Sequence, residues 1–320
     1  MKNFSYNDLI TIENLFQAWN EFKKGKRKKT DVMRFERNLE NNLFDLHESL
    51  KDKTYRHSKY EAFYVNDPKR RHIHKAKVTD RIVHHLLYKY LYELLNSTFI
   101  YDSYSCRNEK GTHKAVKRLV IFVRKISNNY TSSCYVLHLD VQQFFASVDH
   151  EILHGLLKEK VKNKDILWLL KRIIKSYESE KGKGIPLGNV TSQIFANIYL
   201  NGLDQYVKHR LKIKYYIRYA DDFIIVSAND RFFPKLIVQL RNFLKSELKL
   251  TLHPNKIVQR KLIWGIDFLG YVILPHYTLP RTKTIRRMFK KINEKNLVSY
   301  LGYLSHANAN KVVRKLSELL

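Results

Sequence analysis

Residues 215–227 read YYIRYADDFIIVS, two adjacent carboxylates in the middle of a strongly apolar run. No other stretch limits the possible folds as sharply. Successive side chains of a strand face opposite sides, so only one of two neighbouring acids can sit comfortably toward a core. At a tight hairpin tip both acids can lie near solvent while the flanking runs, 213–218 and 223–227, stay buried. The chain is therefore expected to build a hairpin around Tyr219–Asp222. Taken alone, Asp221 and Asp222 need be no more than turn residues, which Asp favours.

A third acid adds a second possibility. Asp140 closes the apolar stretch YVLHLD, so it too stands at a strand end. Carboxylates gathered at neighbouring strand ends repel unless something positive lies between them. A Lys could serve, but a divalent cation fits better if the ligand carries phosphates. Mg²⁺ prefers one or two carboxylates plus phosphate oxygens. Two such ions roughly 4 Å apart clamp the attacking and leaving oxygens of an in-line phosphoryl transfer. The chain's charge points to the same ligand class: 59 Lys and Arg against 30 Asp and Glu, or +29 over 320 residues. Such a surplus reads as a footprint for nucleic acid, whose phosphates reward basic side chains by counterion release. A ribosomal or membrane-surface protein would share the charge but has no use for the acids.

The remaining pattern is α+β. Helical spacing covers 7–22 and 30–50, separated by the basic run KKGKRKK. Residues 55–75 read as a hairpin around Asn66-Asp67-Pro68. Helices fit 78–96, opened by Thr79 or Asp80, and 112–127, opened by Thr112. Others fit from Asp149, which reads as a helix N-cap, and over 164–177, 191–211 and 234–248. Short strands are expected around 257–273, before a basic helical tail. Cys106 and Cys134 form no CxxC pair, and no Cys/His cluster has metal-ligand spacing. The N-terminus has acids among its apolar residues, unlike a signal peptide, and no apolar stretch reaches the eighteen or so residues of a membrane span. These features point to a cytoplasmic protein with no membrane partner.

Seven ordered blocks over about 55–275 resemble a reverse transcriptase. RHIHKAKVTDRIVHHLL and YSCRNEKGTHKA are similar to its fingers, LDVQQFFASVDHEIL, GIPLGNVTSQIFAN and YIRYADDFIIV to its palm, and LTLHPNK and IDFLGYVI to the blocks leading to the thumb. The resemblance implies a right-hand polymerase fold. Its parts would be an N-terminal helical extension (1–54), fingers (55–133), a palm with a small antiparallel sheet backed by helices (134–278, including finger/palm helices at 150–182) and a compact helical thumb (279–320). With so short a thumb segment, no maturase or endonuclease domain is expected.

It also implies roles. Asp140, Asp221 and Asp222 would be the catalytic acids, with Asp140, Asp221 and the Val141 carbonyl holding two Mg²⁺ ions, or Mn²⁺ in their place. Phe145 would be the ring that excludes a ribose 2′-OH. Arg71 and Lys75, with Lys69 a rival, would meet the incoming triphosphate, and Leu187, Gly188 and Gln193 the rest of the nucleotide. Leu269, Gly270 and Tyr271 would lie near the primer end. His72, His74, His84 and His85 read as RNA-facing or packed.

One block departs from the common pattern. Where many bacterial relatives carry Pro-Gln-Gly and then Ser-Pro, this chain has Pro186-Leu187-Gly188 and Ser192-Gln193. That variant, and the closing SYLGYLSHANANKVVRKL, resemble reverse transcriptases of diversity-generating retroelements, which are bacterial, archaeal or phage-encoded. The resemblance implies template RNA, cDNA and deoxynucleotides as partners, with error-prone copying of template adenines. It also implies a small basic accessory protein, the accessory variability determinant, single or oligomeric. A retron or phage-defence reverse transcriptase would share the Tyr-Ala-Asp-Asp box but not Ser192-Gln193. A non-catalytic RNA-binding scaffold would have no reason to keep three repelling acids.

Overall fold

The computed structural model describes residues 5–66 and 70–318. Four helices come first, α1 (Tyr6–Leu9), α2 (Ile12–Phe22), α3 (Thr30–Arg37) and α4 (Leu39–Lys51). The hairpin β1 (Glu61–Val65) and β2 (Arg71–Lys75) and the long α5 (Val78–Leu95) complete this stretch. Then follow α6 (Thr112–Ile126), β3 (Tyr135–Asp140), the single turn α7 (Phe144–Ser147), α8 (His150–Lys160), α9 (Lys164–Ile174) and α10 (Val190–Gln205). After β4 (Tyr216–Tyr219), β5 (Asp222–Ser227) and α11 (Phe233–Leu248) come the short strands β6 (Val258–Lys261), β7 (Ile266–Phe268), β8 (Tyr271–Ile273) and β9 (Thr278–Pro280). The chain closes with α12 (Thr282–Lys291), α13 (Glu294–Leu304) and α14 (Asn310–Ser317).

Two expected helices are each broken in two. Ser5 forms a capping box with Asp8 to open α1, and the Thr11 hydroxyl accepts from the Asn14 N–H to open α2. Between α3 and α4, Asn38 leaves the helical region at φ −122°, ψ 43°. Apolar spacing runs through both breaks, because both halves bury apolar residues: Tyr6 and Leu9 then Leu15, Trp19 and Phe22, and Val32 and Phe35 then Leu43, Leu46 and Leu50. Nor does Asp80 open α5: it is buried, and accepts from the Tyr55 hydroxyl at 2.7 Å and the Ser58 N–H at 3.2 Å. Asp149 does cap α8, accepting from the Glu151 and Ile152 N–H groups at 3.0 Å each. The proposed turn residues Asp67 and Pro68, and Lys69, lie outside the described residues.

The chain divides into two compact units. The first comprises Met1–Ile100, Gln142–Asp204 and Phe243–Thr251. Its core includes Leu15, Trp19 and Phe22 of α2 and Ile82, Val83 and Leu87 of α5, all nearly inaccessible. The second comprises Tyr101–Val141, Gln205–Asn242 and Leu252–Leu320, and holds an antiparallel sheet in the order β4-β5-β3-β6. Ala115, Val116, Leu119, Phe122 and Val123 of α6 back it, packing against Val136, Ile217, Ile224 and Val226. The other face, with Leu137, Leu139, Phe223 and Ile225, is equally buried. A second antiparallel sheet, β7-β8-β9, joins the same core.

Candidate active site

The hairpin forms where the sequence places it. Tyr219 and Asp222 close the β4–β5 ladder, leaving Ala220 and Asp221 as the two-residue tip, with Ala220 at φ +55°. A buried arginine holds that tip. Arg218 is fully inaccessible, and its guanidinium donates to the Ala220 carbonyl at 3.0 Å and the Ser103 hydroxyl at 3.1 Å. Nothing in the sequence singled Arg218 out, although a charged residue inside YYIRY was the available signal.

β3 lies beside β5 with Asp140 directly opposite Asp222, a register that puts backbones about 5 Å apart. The Val141 N–H donates to the Asp221 carbonyl at 3.2 Å, tying the end of β3 to the tip. The three acids thus share one end of one sheet. All three are partly exposed. Burial, reinforced by the charges of Asp140 and Asp222, pushes the Asp221 carboxyl up to about 6, against the pull of Lys256.

Two basic side chains missed in the sequence complete the cluster. Lys256 donates from Nζ to Asp140 Oδ1 at 2.7 Å, and His138 Nε2 pairs with Asp222 Oδ1. Lys256 lies in the block LTLHPNK, held by the His253 N–H, which donates to the Asp140 carbonyl at 2.8 Å. The ammonium shows what the cluster accepts: it stands where a cation relieves Asp140. Among the described residues no three His, Cys, Asp or Glu side chains form a ready-made metal cage. Ions held by one or two carboxylates and completed by substrate phosphates would need no such cage. The donor set, oxygen only and short of ligands, fits Mg²⁺ or Mn²⁺.

The expected nucleotide residues lie in the first unit. Loop 185–189 runs along β2: the His74 N–H donates to the Leu187 carbonyl at 3.0 Å, and the Asn189 side chain donates to the His74 carbonyl at 3.0 Å. Gly188 is required there, since at φ +108° a Cβ would lie 2.9 Å from Ile73 Cγ2. A cavity of about 390 Å³ opens beside this loop, lined among others by Lys75, Arg81, Gly188, Asn189, Val190 and Gln193. Lys75, Gly188 and Gln193 are thereby brought together. Leu187 is half-buried next to them, and Arg71 is exposed on β2, outside the lining. Lys75 is already paired, with Asp31 at 3.0 Å and Glu61 at 3.4 Å. Phe145 is half-buried, edge-on to the fully packed Phe144 and tied to the loop by its carbonyl, which accepts from the Ile185 N–H at 2.7 Å. The core phenylalanine of the pair is Phe144. Of the histidines, His84 is buried, with Nδ1 2.6 Å from the Thr191 hydroxyl.

In the second unit Leu269 and Gly270 form the two-residue tip of the β7–β8 hairpin, both at positive φ, +49° and +93°. Leu in that region is strained, and strain of this kind clusters at functional tips. The Gly270 carbonyl accepts from the Tyr303 hydroxyl at 2.5 Å and the Arg281 N–H at 2.8 Å, while the Tyr271 and Tyr303 rings stack at 4.6 Å.

A family model described as "Reverse transcriptase (RNA-dependent DNA polymerase)" matches residues 65–303. The chain belongs to the reverse transcriptase family. It is 24% identical over 314 residues to the group II intron-encoded protein LtrA of Lactococcus lactis, an overlap that takes in 76% of this chain and 51% of LtrA. Protein YkfC of Escherichia coli is 24% identical over 233 residues, 61% of each chain. The chain thus spans about half to three-fifths of these relatives' lengths. Among solved structures, apo telomerase from Candida tropicalis superposes with a TM-score of 0.55 at 12% identity, covering 82% of this chain and 56% of that one. Telomerase from Candida albicans, in complex with a fragment of telomeric RNA, gives 0.52 at 13% identity, covering 81% and 54%. At that identity the likeness establishes the fold, a right-hand polymerase. No helix among the described residues is long and apolar enough to cross a membrane.

Proposed function

We propose that this reverse transcriptase is an RNA-directed DNA polymerase of a diversity-generating retroelement, making error-prone, adenine-mutagenised cDNA from a template-repeat RNA. The observation that carries the polymerase reading is the convergence of Asp140 and Asp222 as cross-strand neighbours with Asp221 at the adjoining tip. Asp140 and Asp221, with the Val141 carbonyl, would hold two divalent ions, Mg²⁺ or Mn²⁺. Those ions, when bound, supply charge neutralisation for the attacking 3′-oxygen and the leaving pyrophosphate.

The chain's own residues supply the rest. Asp222 is a supporting acid, fixed by His138. Lys256 neutralises Asp140 and keeps the acids together. Lys75, Gly188 and Gln193 receive the nucleotide in their cavity, with Arg71 at its approach, and Phe145 selects deoxyribose. Leu269, Gly270 and Tyr271 support the primer end, braced by Tyr303. Template RNA is bound through the basic surface. The proposed partner beyond nucleic acid is the small basic accessory protein.

The retroelement assignment rests on Leu187 and Ser192-Gln193. A Gln at 187 could hydrogen-bond the nucleotide sugar or the templating pair; Leu offers apolar contact only. Losing such a bond reduces discrimination by about 1–2 kcal/mol, or roughly tenfold. Two experiments test the proposal. Primer extension on RNA with deoxynucleotides should succeed with the native protein and fail with Asp140→Asn and Asp221→Asn, while RNA binding survives in all three. Sequenced cDNA should show misincorporation opposite template adenines, reduced by Leu187→Gln. An unchanged spectrum would remove Leu187 from the account of fidelity.

A further inference from the structure

Asp31 stands out in a strongly basic neighbourhood. It lies in the first turn of α3, just after KKGKRKK, and one of its oxygens, Oδ2, takes both Lys75 Nζ at 3.0 Å and the Arg81 guanidinium. Its pairs span three separate elements, α3, β2 and α5. Burial works against the Asp31 charge, but the hydrogen bonds from Lys75 and Arg81 outweigh it and hold the carboxyl below the usual range. Both cations line the 390 Å³ cavity beside Gly188–Val190, and Lys26 lines it too. Burial and the nearby Arg81 charge make Lys26 easier to deprotonate, as expected where positive charge is in surplus. Lys75 also lines a second, larger cavity of about 680 Å³, which Asp31 shares with Arg34, Lys59 and Glu61. Lys75 therefore stands between two spaces, one shared with Asp31 and the other lined by Lys26 and Arg81.

We propose that Asp31 is a built-in counter-anion of the nucleotide cavity: it holds Lys75 and Arg81 paired until the polyphosphate of an incoming nucleotide displaces it, and so sets nucleotide affinity. This inference rests on the reading of that cavity as the polyphosphate site. A single carboxylate offers two oxygens and one charge. A triphosphate offers more of both, and wins the two cations by charge-assisted hydrogen bonds. Until then Asp31 keeps Lys75 and Arg81 from repelling each other, and it excludes weaker anions. Asp31 touches neither substrate nor reacting atoms in this scheme; it positions the cations that do.

The test separates the two ideas. Asp31→Asn keeps the shape and one acceptor oxygen but removes the charge. It should lower KM for deoxynucleotides roughly three- to tenfold, the scale of two partly exposed ion pairs, with kcat little moved. Titration calorimetry with sodium tripolyphosphate should show a matching gain in affinity. Asp31→Glu, which restores the charge, should return both values toward native. Lys75→Gln tests the cavity itself and should raise KM. In the double variant Asp31→Asn/Lys75→Gln most of the gain from Asp31→Asn should vanish. If Lys75→Gln raises KM while Asp31→Asn leaves it unchanged or raises it, the counter-anion is overturned and the cavity stands. If Lys75→Gln moves neither KM nor tripolyphosphate binding, the cavity assignment falls, and the counter-anion with it.

Discussion

At the residue scale the site is a problem of charge. Asp221 is half-buried at a tip it shares with two other acids, and its carboxyl is pushed up to about 6 from an ordinary 3.8. A folded-state value above the unfolded one means that the native protein binds this proton more tightly. The group therefore contributes stability below its ordinary value and loses that contribution as pH rises through 6. In chelator, Asp221→Asn should stabilise the protein at pH 7.5 by about 1–3 kcal/mol, with the gain shrinking toward pH 4. Thermal melts at the two pH values check this; a variant less stable than native at pH 7.5 would show that the tip is not under charge strain. Arg218 works in the opposite sense. Replacing this inaccessible guanidinium by Met leaves the Ala220 carbonyl without its donor and should cost about 2–4 kcal/mol by urea unfolding. Arg218 had one signal in the sequence, a charge inside an apolar run, and Lys256 had none. Lys256 meets Asp140 across 116 residues of chain, and one Lys among many basic residues carries no signal of its partner.

At the element scale, strands were easier to read than helix breaks. β5 is a continuous apolar run after a two-residue tip, and little else can be built from it. The breaks at Thr11 and Asn38 interrupt a buried stripe without changing its spacing, so periodicity passes over them. The gap before α10 was legible between the helices expected at 164–177 and 191–211, but its contact with β2 was not. That contact is specific enough to test. Gly188→Ala adds a Cβ 2.9 Å from Ile73 Cγ2 at a backbone angle that Ala resists. It should lift the loop off β2, raising KM for deoxynucleotides roughly tenfold and costing about 1–3 kcal/mol in a thermal melt. Trimming the obstacle with Ile73→Ala should recover part of the kinetic loss. If Gly188→Ala binds nucleotide like the native protein, the 390 Å³ cavity is not where the nucleotide enters.

At the scale of the whole molecule, the +29 charge and the acids divide the work. In the proposed function, basic residues spread over both units would bind a polyanion without regard to sequence, and three acids at one sheet end would act on it. RNA affinity should then fall steeply with salt, by about a thousandfold between 50 and 200 mM if six phosphates are neutralised. Filter binding checks the slope, and Asp221→Asn should leave it alone. The fold was readable because seven blocks keep their order along the chain. Site contacts such as Asp31 with Lys75 and Lys256 with Asp140 were not, because they join residues far apart in sequence. The most direct measurement is Mn²⁺ binding by electron paramagnetic resonance, with a non-hydrolysable deoxynucleotide present. Two ions per native chain, both weakened or lost in Asp140→Asn and Asp221→Asn, is the predicted result. Equal Mn²⁺ occupancy in the native protein and both variants would contradict the claim that these carboxylates hold the reacting metals.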